Sequence, residues 1–203
     1  MDRVTIKQTA KQQMRAQRGT AILITLVLLI IASIPVVPFI GAIISIFVLW
    51  NLNLGASNAY LKIWRGEETK VGDMFTIGFE NYARYLGGML LVGVYTFLWS
   101  LLFFIPGIIK SFSYALTPYI LREMPDLSVN EAIKLSTRMM DGHKMELFVL
   151  NLSFIGWNLL GALTCGILTV VYVAPYMSIT VAGFYDEIKK DAIARGIISP
   201  IEG

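Results

Sequence analysis

A chain of 203 residues that is 56% hydrophobic and 15% charged is more apolar than a soluble domain, in which about 45–50% and about 25% are usual. The formal net charge is only +3, and the single cysteine (Cys165) and single histidine (His143) exclude an intrachain disulfide and a Cys/His metal centre. The surplus apolar residues lie in long blocks, which points to lipid rather than water as the solvent.

The chain opens on a basic amphipathic stretch. Lys7, Lys11, Arg15 and Arg18 share one helical face, with Ile6, Ala10 and Met14 on a neighbouring one. This spacing predicts an interfacial helix whose basic residues meet the anionic headgroups of membrane lipids. Thr5 and Gln8 match the capping-box pattern at its start. A cleaved signal peptide is not expected, because Met1–Arg18 is long for a basic leader and the apolar run from Gly19 lacks a small-residue cleavage site.

Gly19–Leu61 and Leu147–Tyr185 contain no charge, and Tyr85–Leu121 contains only Lys110. As helix each block would run about 55–65 Å, roughly two crossings of a hydrocarbon core about 30 Å thick. Fold-back points are expected at Pro35 and Pro38, at Pro106-Gly107, and at Thr164-Cys165-Gly166. The resulting spans are about 19–35, 39–61, 85–105, 107–122, 146–163 and 166–185. The blocks lack the alternation that a membrane β-barrel requires. The expected fold is therefore all-α, a polytopic bundle of six transmembrane helices with short interfacial amphipathic helices. Apart from Lys110, every Lys and Arg falls on one side, which the positive-inside rule makes cytoplasmic, with both termini. A multi-pass protein of the bacterial plasma membrane is expected.

Two further amphipathic stretches separate the blocks. One opens at Thr69-Lys70-Val71-Gly72, with Val71, Met74, Phe75 and Phe79 as an apolar stripe. The other opens at Ser128-Val129-Asn130-Glu131, a second capping-box match, with Val129, Ile133, Ser136 and Met140 together and Lys134 and Arg138 facing elsewhere. Each stretch precedes a hairpin, so residues 1–203 read as a single membrane domain of three parallel repeats, about 5–66, 69–125 and 128–188, with a short tail over 186–203. Trp99 and Trp157, and Pro118-Tyr119 and Pro175-Tyr176, recur in the second and third units.

The candidate functional positions are polar or kink-forming residues within or beside the spans. Lys110 follows an outer turn, within snorkelling reach of headgroups. Asn51, Gly55 and Asn58 share a face of the second span, and Asn151 and Asn158 a face of the fifth, consistent with helix packing or a polar cavity. Pro118 and Pro175 each free a carbonyl in a returning span. His143 and Lys144 stand at the entry to the fifth span, where a histidine can respond to pH or simply meet the interface. No P-loop, HExxH or GxSxG motif is present, so no catalytic residue, cofactor or nucleic-acid partner is expected.

Several spaced motifs together resemble a known family. They are Ile105-Pro106-Gly107-Ile108-Ile109-Lys110, Tyr114-Ala115-Leu116-Thr117-Pro118-Tyr119-Ile120-Leu121, Glu131-Ala132-Ile133 through Gly142-His143-Lys144, Phe154-Ile155-Gly156-Trp157, Pro175-Tyr176 and Phe184-Tyr185. The pattern is similar to the domain-of-unknown-function 975 family of bacterial integral membrane proteins. That resemblance implies a membrane protein and carries no reaction, substrate or site residues. The leading expectation is a non-enzymatic scaffold or accessory module that engages lipid or another membrane protein. A small transporter or exporter is the alternative, and an intramembrane lipid-modifying enzyme the third.

Overall fold

The computed structural model describes residues 3–32, 45–102, 104–164 and 166–198. Pro35, Pro38 and Cys165, at which turns are expected, lie outside them. The described residues form an all-α fold. In chain order the helices are α1 (Arg3–Ala16), α2 (Arg18–Ala32), α3 (Trp50–Arg65), α4 (Val71–Glu80), α5 (Tyr82–Leu102), α6 (Phe104–Tyr114), α7 (Thr117–Glu123), α8 (Val129–Met139), α9 (Lys144–Leu152), α10 (Ile155–Leu163) and α11 (Ala174–Ala194). Wide π-helical turns, Ser45–Leu49 and Thr169–Val173, lead into α3 and α11.

Lys144–Leu163 (α9 and α10 together) is long and apolar enough to cross a bilayer, and only 22% of its most apolar window is buried. The pair α1–α2 passes the same test only jointly and is bent by 93°, as an interfacial helix turning into a span would be. Among the described residues no other helix passes that test. The expected span over about 107–122 is split into α6 and α7 because Pro118, second residue of α7, cannot donate into a continuing helix. The break lies between α5 and α6, so Pro106-Gly107 sits in the first turn of α6 and does not form the turn itself. A missing donor costs nothing there. Gly107 instead lets the two helices approach: a Cβ would lie 2.8 Å from the Ser100 Cα. The turn after α10 does fall where expected, with Gly166 at φ +84°, a conformation that favours glycine.

Helix starts follow local chemistry. At α8, Ser128 accepts from the Glu131 N–H at 3.3 Å while Glu131 accepts from the Ser128 N–H at 2.7 Å. The same expectation fails at Thr5, because α1 is already helical at Arg3 and Thr5 lies within it. The stripe expected on α4 is rotated. Met74, Ile77 and Gly78 face inward, whereas Phe75 and Phe79 are exposed. Close approach of two backbones sets that face: Gly55 on α3 opposes the Met74 carbonyl, and Gly78 opposes the Asn51 carbonyl. Bulky side chains cannot occupy such a seam.

Burial divides the second and third apolar blocks in two. Tyr85, Leu116, Ile120, Leu147, Phe154, Ile179 and Phe184 belong to one core, near the charged ends of the helices. Towards the turns the apolar side chains point outward instead, with Leu101 73%, Ile105 70%, Leu163 80% and Ile167 68% exposed. α1 closes the core: Ile6, Ala10 and Met14 are buried, so its apolar stripe is covered by protein, while Lys11, Arg15 and Arg18 stay exposed.

Candidate functional site

Two helices end at one ionic cluster and a third passes through it. Arg65 closes α3, Glu123 closes α7, and Tyr185, Asp186 and Lys189 lie one turn apart on α11. Arg65 meets Glu123 at 2.6 Å and Asp186 at 2.6 Å. Lys189 donates to Glu123 at 2.5 Å, and the buried Tyr185 hydroxyl donates to the same carboxylate at 2.8 Å. Tyr185 stacks on Tyr119 of α7 with ring centroids 4.8 Å apart. Only 13% of the Glu123 side chain is exposed. Removal from water therefore opposes its charge, and three donors outweigh that cost. Two cations face two carboxylates, so the cluster is neutral and acts as a clasp across residues far apart in sequence.

Beside the clasp opens a cleft of about 380 Å³, bordered by Asn58, Lys62, Arg65, Arg122 and Glu123. Its cations are already engaged: besides Arg65, Lys62 pairs with Asp73 at 3.3 Å and Arg122 with Glu80 at 3.1 Å. The amide of Asn58 donates to the Pro118 carbonyl at 3.1 Å, joining α3 to α7.

The positions singled out by sequence do not assemble into one site. The Lys110 ammonium lies over the Trp99 ring, 4.7 Å from its centroid, so the α5–α6 hairpin itself supplies a partner for it. Pro118 sits at the α6–α7 break, and Pro175 follows the π turn whose extra width accommodates its missing donor. His143 links two elements: Nδ1 faces Glu146 and Nε2 faces Asp191 of α11, each at 3.1 Å. Its two carboxylates lie on opposite ring nitrogens, a hydrogen-bonded chain rather than a chelate. Lys144 is half-buried at the first position of α9. A turn at Ser153–Phe154 interrupts the helix between Asn151 and Asn158; Asn151 is half-buried and Asn158 exposed. The break is held by Ser153, whose hydroxyl donates to the Leu150 carbonyl and accepts from Lys7. Lys7 also lies over the Phe154 ring at 4.4 Å, so it is turned towards α9–α10 and away from the basic face of α1.

Sequence reasoning counts Arg65, Glu123, Asp186 and Lys189 only as charges at one end of the spans. One signal was available: Leu61, Leu121 and Tyr185 end the three apolar blocks, and the clasp begins within a few residues of each.

A family model described as protein of unknown function (DUF975) matches residues 1–113 and 101–192. No curated protein and no solved structure matches the chain.

Proposed function

This chain belongs to the DUF975 family of proteins of unknown function, and on that premise we propose that it is a non-enzymatic membrane module. In this reading its hairpins are embedded in the plasma membrane, both termini are cytoplasmic, and it serves as a scaffold or accessory subunit for lipid or another membrane protein. One observation carries the reading: near the turns, large apolar side chains face outward on α5, α6 and α10, while the ionic clasp sits at the opposite ends. In water such a surface would be costly at about 25 cal/mol per Å² of apolar area; in lipid the cost disappears. Six crossings in three parallel repeats extend the same logic to all three blocks. The saturated clasp favours a structural role over catalysis.

The test is membrane extraction. The protein is expected to remain in the membrane pellet through alkaline carbonate washing and to float with phospholipid vesicles after reconstitution. A specific lipid or membrane protein should accompany it in mild detergent. Release by carbonate, or purification without either companion, would count against the module.

A second reading, a small transporter, draws support from the helix interruptions at Ala115–Leu116 and before Pro175, since broken helices occur at transporter sites. Gradient-dependent solute flux in reconstituted liposomes separates it from the first.

A further inference from the structure

Arg18 stands at the elbow between α1 and α2 and borders two cavities of opposite character. On one side is a crevice of about 270 Å³ walled by Met14, Ile22, Leu168, Val171 and Tyr172. On the other is a cleft of about 550 Å³ edged by Gln13, Thr20, Glu68, Thr69 and Lys70, so that with Arg18 it holds two cations and one carboxylate. The elbow is fixed in place: the Gln17 side chain donates to the Glu67 carbonyl at 2.6 Å and accepts from the Thr69 N–H at 3.0 Å. Among the described residues, neither Arg18 nor Lys70 forms an ion pair, in contrast to Lys62, Arg65, Arg122 and Lys189. Lys11 and Arg15 extend the positive surface along α1.

A cation between an apolar slot and a polar, positively charged cleft matches an amphiphile with an anionic head. One carboxylate, Glu68, faces the two cations of the cleft, so a neutral lipid would leave its excess positive charge unmet, and a free anion would leave the apolar crevice unfilled. We infer that the α1–α2 elbow is a binding site for one anionic phospholipid of the cytoplasmic leaflet. The phosphate belongs in the Arg18–Lys70 cleft, and an acyl chain lies between α2 and the Leu168–Tyr172 turn. The site rests on the membrane reading above, because it needs the elbow to lie at the headgroup level.

The experiment uses delipidated full-length protein in detergent, titrated with phosphatidylglycerol or phosphatidylcholine and read by native mass spectrometry. Phosphatidylglycerol is expected to bind more tightly. Each basic residue near a membrane surface contributes about 1 kcal/mol, so Arg18→Gln should weaken phosphatidylglycerol about fivefold and Arg18→Gln/Lys70→Gln about thirtyfold. Val171→Trp, which fills the crevice without altering charge, should weaken both lipids. Its unfolding temperature, measured alongside, shows whether the fold persists; should it not, Ile22→Phe replaces it. The exposed pair Lys134→Gln/Arg138→Gln serves as control and should leave the preference intact. Equal loss in that control, equal binding of the two lipids, or displacement of phosphatidylglycerol by inorganic phosphate at similar concentration would each overturn the site. Failure of the wild-type protein to float with vesicles of any composition would instead defeat the membrane reading.

Discussion

Replacing Glu123 by Ala is expected to destabilise the fold by about 3 kcal/mol, because it leaves Arg65 and Lys189 facing each other with little water and strands the buried Tyr185 hydroxyl. Thermal unfolding in detergent reads the loss. Arg122→Ala is the contrast: its pair with Glu80 is 37% and 45% exposed, and such pairs contribute less than about 1 kcal/mol. The pH dependence distinguishes the clasp from mere packing. Burial by itself would raise the Glu123 carboxyl, but hydrogen bonds from Lys189, Tyr185 and Arg65 hold it below the usual carboxylate range. A carboxyl lowered in the folded state contributes stability that is complete above its unfolded value, about 4.3, and is lost as pH falls through the folded value. Wild-type protein should therefore lose stability on acidification below about pH 4, and Glu123→Gln should flatten that acid limb while lowering stability at neutral pH.

Gly55→Ala should be the most damaging glycine-to-alanine change among the described residues, at about 3 kcal/mol. The added Cβ would sit 2.0 Å from the Met74 carbonyl oxygen and 2.9 Å from the Gly78 nitrogen. Both are backbone atoms of α4, so no side chain can rotate away and the α3–α4 seam must open. Gly87→Ala on α5 is the matched control, since nothing lies within 4 Å of its Cβ. A helical glycine of that kind should become slightly more stable as alanine, by up to about 1 kcal/mol. Unfolding temperatures of the two variants, compared in the same detergent, check the difference. Equal effects would mean that the seam is loose.

Much of this architecture is legible in the sequence because apolar blocks and their punctuation are local. The cap at Ser128, the turn at Gly166 and the inward face of α8 (Ile133, Ser136 and Met140) follow from residues within one or two turns of each other. The failures share a cause: they depend on what lies across the interface. Phe75 and Phe79 outrank Gly78 on any hydrophobicity count, yet the α4 face is decided by how closely α3 approaches. Asn151 and Asn158 are in helical register, but Lys7, more than a hundred residues earlier, meets Ser153 at the break between them. The clasp was hidden for the same reason. Arg65, Glu123 and Asp186 look like ordinary flanking charges until the ends of α3 and α7 are brought against α11, and nothing in their own neighbourhoods announces the meeting.

Topology decides the account most directly, and the chain's lone cysteine offers the means. In the sequence Cys165 falls between two apolar stretches, on the outer side in the proposed arrangement, whereas Glu68 lies exposed in the α3–α4 loop beside the basic elbow. In intact cells treated with a membrane-impermeant maleimide, wild-type protein should be labelled at Cys165 from outside. A Cys165→Ala/Glu68→Cys variant should react only once the membrane is permeabilised. Labelling of Glu68→Cys in sealed cells, with Cys165 of the wild type shielded from the same reagent, would contradict the embedded-hairpin arrangement.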